Sequence, residues 1–113
     1  MEETPRQESR RSRRSSRISY DVLVELQAER FAYAGETVVV NMHGALIRTS
    51  APLELGIPIT LHVHRTGRAA PGRIVFASYE NTPPNFGVEL DKPANIWGLT
   101  DAPADWQEVL DQS

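Results

Sequence analysis

Apolar and polar side chains begin to alternate at Ile18 and keep doing so, with interruptions, as far as Leu90. In ISYDVLVELQ, residues Ile18, Tyr20, Val22, Val24 and Leu26 take every second position, with Ser19, Asp21, Leu23, Glu25 and Gln27 between them. A period of two puts one set on a single face of an extended chain, so residues 18–27 predict a first strand. After a turn signal at Ala34-Gly35, ETVVVN (36–41) is rich in β-branched residues and predicts a second. Gly44 punctuates NMHGALIRTS, and Ala45 to Thr49 reads as a third strand entered through a tight turn. Pro52, Gly56 and Pro58 bracket a loop, after which Ile59, Leu61 and Val63 alternate with Thr60, His62 and His64 in a fourth. TGRAAPG reads as a turn leading into RIVFASYE, the fifth. The adjacent prolines of NTPPN end any ladder, and FGVEL is the sixth. Six short strands with frequent turn signals predict an all-β domain, a small antiparallel barrel or sandwich. Closure into a barrel removes the exposed edges. The tail is turn-rich, and Pro103-Ala104-Asp105 predicts the start of a short C-terminal helix with Trp106, Val109 and Leu110 on one face.

Residues 1–17, MEETPRQESRRSRRSSR, lie outside this pattern. With almost nothing to bury, such a segment cannot offset the entropy of ordering itself, so it is expected to be a flexible, disordered arm. It holds six Arg and three Glu, +3 by count, in a chain of net charge −3; residues 18–113 carry −6. The basic arm is thus a local feature of an acidic protein. A length of 113 residues predicts one domain, 18–113, behind the arm, large enough to fold without staples. The chain has no cysteine, which excludes disulfides, thiolate metal sites and thiol catalysis and fits a reducing cytoplasm. No apolar run reaches membrane-spanning length, and the charged N-terminus lacks the apolar segment of a secretory signal. A cytoplasmic, soluble protein is the expectation.

Three features bear on chemistry. Arg13, Arg14 and Arg17 form RRxxR just before the first strand. A guanidinium pairs bidentately with phosphate and stacks its flat face on bases, so two of them four residues apart can clasp a phosphorylated nucleotide. A solvated tail and a nonspecific polyanion-binding arm are the alternative readings. Asn41, His43 and Gly44 lie between two strands: Asn offers a donor and an acceptor edge for a base, and Gly44 permits close backbone approach, unless they simply make a connecting turn. His62 and His64 share one strand face, but two polar residues on a solvent face account for them, and no metal site is expected. The chain has no nucleophile elbow, HExxH, P-loop or dinucleotide fingerprint, and no carboxylate pair spaced for acid–base work. No enzymatic activity and no cofactor are expected.

Together these pieces resemble the PilZ domain, the bacterial receptor module for cyclic di-GMP. The resemblance runs from about Arg13 to Trp106. RRSSRISYDVLVEL matches the family's RxxxR followed by a strand, and VVVNMHGALI stands in the place of its [D/N]xSxxG element. LELGIPITLHV, GRIVFASYE and FGVELDKPANIWG follow in the family's order. The resemblance implies a six-stranded antiparallel barrel and a bound cyclic di-GMP, with Arg13 and Arg17 contacting guanine faces and phosphates. Arg14 is implied as an accessory phosphate contact, with Asn41, Gly44 and His43 on the barrel side. Aligned on Gly44, the second motif carries Asn41 at its Ser position and Val39 at its Asp/Asn position, a departure at two of three places. Val39 either faces the ligand, where it accepts no hydrogen bond, or points into the barrel. Three functions follow: a cyclic di-GMP receptor signalling to a downstream protein partner, a degenerate PilZ domain acting as a protein-interaction module, or nonspecific nucleic-acid binding by the arm. The acidic body argues against the last by repelling a phosphate backbone.

Overall fold

Burial follows the alternation closely enough to build the barrel from it. The computed structural model describes residues 16–106. Its strands are β1 (Ile18–Ser19), β2 (Leu23–Gln27), β3 (Ala32–Asn41), β4 (Gly44–Arg48), β5 (Pro58–Val63), β6 (Arg68–Ser78) and β7 (Asn85–Leu90). All pairings are antiparallel, in the order β3-β2-β5-β6-β7-β4, and β4 pairs back onto β3 to close a six-stranded ring. Val24, Leu26, Val40, Ile47, Leu61, Val63, Ile74, Phe86 and Val88 fill the interior, and Met42, Ile96, Trp97 and Trp106 are buried with them. Residues 104–106 are helical; Val109 and Leu110 lie outside the described residues. Among the described residues, no helix is long and apolar enough to cross a membrane.

The first predicted strand is two. β1 sits outside the ring and pairs only with β3 (Ile18 with Val40, Ser19 with Val39), while β2 pairs with the first half of β3 and with β5. Between them the buried Thr37 side chain fills the ladder: its hydroxyl accepts the Val22 N–H (2.9 Å) and donates to the Tyr20 carbonyl. On the other side of β3 the register with β4 shifts between Thr37 and Val39. An irregularity of this kind bends the strand, and β1 leaves the barrel at that bend.

Two predicted turns are strand. Ala34 and Gly35 are internal to β3, paired with Glu25 and Val24, because a Cβ at Gly35 would press on Leu26 and Ile47 at 2.9 Å. β6 begins at Arg68, so Pro71 lies inside it, opposite Thr60. The Pro71 carbonyl accepts the Asp91 N–H (2.9 Å), one residue past the end of β7. The proline nitrogen faces that same side, where no partner strand runs, and the missing donor costs no ladder bond.

Candidate functional site

The β3–β4 turn is held from below by the last residue of β7 and the chain that follows it. Asn41 pairs with Gly44 across a two-residue turn, Met42-His43. Three successive carbonyls of this turn each receive a donor: Trp97 Nε1–H donates to the Asn41 carbonyl (2.9 Å), the Ala94 N–H to Met42 (2.9 Å) and the Leu90 N–H to His43 (2.8 Å). Met42 is fully buried although it stands in a turn, since its side chain enters the end of the barrel. Gly44 is demanded by packing, because a Cβ there would run into the Val88 carbonyl of β7. Backbone of this kind does not yield, so only glycine lets β4 and β7 approach.

The side chains expected to read a ligand take different places around this turn. Asn41 Oδ1 accepts the His43 N–H (2.8 Å), so the amide oxygen closes a local turn and is engaged there. Val39 is half-buried and alternates with the fully buried Val40, so it faces out of the barrel beside β1; the reading that turned it inward is corrected. His43 is half-buried and lines a cleft of about 290 Å³ with Arg73, Glu89, Leu90, Asp91 and Pro93. Arg17 is exposed and directly precedes Ile18, whose partner is Val40; that sets Arg17 level with the Asn41 end of β3. Arg17, Asn41, His43 and Gly44 therefore gather at one end of the barrel. Arg13 and Arg14, with the expected disorder of the arm, lie outside the described residues. Away from this end, His62 Nε2 bonds Gln27 Oε1 at 2.9 Å across β5 and β2, a partnership between strand-face neighbours.

A second depression, of about 300 Å³, opens at the bend where β1 leaves the barrel, and is lined by Ser19, Tyr20, Asp21, Glu36, Thr37, Val38 and Arg48. A hydrogen bond that the protonated Glu36 donates to Asp21, with the negative charge of that carboxylate, raises the Glu36 pKa above its ordinary value, and Arg48 partly opposes the shift. A raised native pKa means that the folded state holds this proton more tightly than the unfolded chain. The contribution to stability is therefore full below the unfolded value and is lost as pH rises through the native one. Asp21→Asn is expected to melt higher than the wild type at pH 7, where two carboxylates otherwise face each other. The advantage should shrink as the pH is lowered through the carboxylate range; thermal melts at pH 7 and pH 4.5 measure it.

Sequence reasoning did not find the residues that hold the arm. Ser16 donates through its N–H (3.0 Å) and Oγ (2.7 Å) to Asp105 Oδ2, and its carbonyl accepts from Trp106 Nε1 (2.8 Å). The one signal was a second tryptophan in a turn-rich tail, read as a helix face. No curated protein sequence matches the chain. The PilZ domain family model does match, over residues 8–96, a span that runs from the arginine arm through every strand to Ile96, and the chain belongs to the PilZ domain family.

Proposed function

We propose that the chain is a cyclic di-GMP receptor module, with Arg13 and Arg17 closing over the nucleotide at the Asn41–Gly44 end of the barrel. PilZ domains are in general receptors for this ligand. The observation that carries the reading is the pairing of Ile18 with Val40, which sets Arg17, the last residue of RxxxR, level with the second-motif turn although Asn41 lies 24 positions further along the chain. Guanidinium groups there meet phosphates through charge-assisted hydrogen bonds and guanine faces through stacking. The outer side of β3 and the fixed turn supply the wall. Arg14 adds a phosphate contact, and His43 stands at the rim. A cytoplasmic location, a downstream protein partner that reads the docked arm, and the absence of catalysis belong to the same reading.

Calorimetric titration of cyclic di-GMP into the protein at low salt tests it. Saturable binding at a defined stoichiometry is expected, and an absence of heat and of competition with labelled ligand refutes the receptor reading. The second reading, a degenerate domain that binds a protein and no nucleotide, is favoured by two observations. Val39 presents no hydrogen-bonding group outward, and the Asn41 amide oxygen is engaged by His43 N–H. It predicts no nucleotide binding together with capture of a protein partner that survives mutation of Arg17.

A further inference from the structure

We propose that Asp105 and Trp106 are positioning residues for the arginine arm, forming a clasp on Ser16 that presents Arg17 to the ligand. The proposal rests on the receptor reading above and names how that site is held. It also reaches beyond the matched family span, which ends at residue 96.

Ser16 lies inside RRSSR, between Arg13 and Arg17. All its polar groups are engaged by two consecutive residues, 89 and 90 positions further along the chain: N–H and Oγ by Asp105 Oδ2, and the carbonyl by Trp106 Nε1. Trp106 is 2% exposed and packs in the core, so the group holding the Ser16 carbonyl is itself immobile. The Trp106 N–H donates to the Pro103 carbonyl (3.0 Å), which fixes the helical turn carrying both clasp residues. Two hydrogen bonds to a carboxylate are charge-assisted, and so stronger than the ladder bonds beside them.

The consequence falls on Arg17. On its C-terminal side the chain is tied by β1, whose two residues make a marginal ladder by themselves. On its N-terminal side it is tied by the clasp. With both neighbours fixed, the Arg17 backbone is set before a ligand arrives, and only side-chain freedom remains to be lost on binding. Pre-organisation of this kind raises affinity by lowering the cost of ordering, without adding a contact to the ligand. Asp105 Oδ1 is buried and has no hydrogen-bond partner among the described residues. Among the described residues the carboxylate is therefore held through one oxygen, by its bonds to Ser16, and losing them would strip that oxygen of both donors.

The test compares the full chain with Asp105→Ala, Asp105→Asn and Trp106→Phe, using cyclic di-GMP calorimetry and amide hydrogen exchange. Asp105→Ala is expected to weaken the nucleotide about tenfold. Exchange at residues 16–19 should accelerate while protection across β2 to β7 stays as in the wild type. Asp105→Asn keeps an acceptor for Ser16 and should restore most of the affinity; Trp106→Phe, which keeps an aromatic ring but removes the donor together with part of the buried indole, should fall between. Unchanged affinity in Asp105→Ala overturns the proposal. So does a loss of protection throughout the barrel, which would make Asp105 a general stabiliser. If the wild type binds no nucleotide, the receptor reading fails, and exchange alone decides the clasp: faster exchange confined to residues 16–19 retains it as the anchor of the arm, and unchanged exchange removes it.

Discussion

Replacing Arg17 by alanine is expected to weaken cyclic di-GMP binding by about ten- to a hundredfold while leaving the melting temperature where it was. Hydrogen bonds to a charged group contribute about 1.5–3 kcal/mol. At about 1.4 kcal/mol per decade, that is one to two decades in affinity. Arg17 is exposed, and exposed substitutions away from caps and turns usually shift stability by less than about 0.5 kcal/mol. Arg17→Lys keeps the charge but loses the planar fork and the stacking surface, so it should recover only part of the loss. Combined replacement of Arg13 and Arg17 should abolish detectable binding. An Arg17→Ala protein that binds as tightly as the wild type would place the ligand elsewhere on the domain.

Trp97→Ala should be the most destabilising single change in the described part of the chain. Trp97 is the largest fully buried side chain, and removing a buried aromatic ring costs about 3–5 kcal/mol. That is a large share of the roughly 5–15 kcal/mol by which domains are stable. The deletion also strips the Asn41 carbonyl of its indole donor, at the end of β3 on which the candidate site is built. Trp97→Phe separates the two effects. It keeps most of the apolar volume but leaves that carbonyl without the indole, for a loss of about 1–3 kcal/mol. Urea midpoints measure both. In Trp97→Phe, Asn41 and Met42 should show the largest amide chemical-shift changes outside the immediate neighbours of residue 97.

Most of the barrel was legible because its strands largely obey a period of two, and Val24, Leu26, Ile59, Leu61, Val63, Phe86, Val88 and Leu90 are buried where alternation puts them. What escaped the pattern was decided by contacts between distant segments. The break at Tyr20–Val22 follows from the Thr37 hydroxyl entering the ladder, and nothing in ISYDVLVELQ announces a partner 15 to 17 residues away. Gly35 and Pro71 look like turn residues, yet both lie in strands, one for close packing and one for lying beside the end of β7. RIVFASYE reads as a single strand, and nothing in it marks an irregularity. A register shift between Ile74 and Phe76 leaves Ile74 buried and Phe76 51% exposed, stacked over the bare Gly87 opposite. At the candidate site, the convergence of Arg17 with the β3–β4 turn agrees with the motif order in the sequence. The engagement of Asn41 by His43 and the grip on Ser16 do not show there, because both are hydrogen bonds whose geometry depends on the folded turn and tail.

The bend at Thr37 leaves β1 outside a ring that closes without it, and the two are expected to open as separate units of very unequal size. The six-stranded ring closes without β1, so its opening is expected to cost close to the global free energy of unfolding. β1 and the chain entering it are joined to that ring along β3 and at the tail, and they can detach while the ring stays shut. Proteins open in such separable pieces, with free energies that range from near zero up to the global value. On the receptor reading, a ligand at the Arg17 end therefore has only this small opening to suppress, and a modest binding energy suffices to keep the edge docked without touching the stability of the barrel behind it.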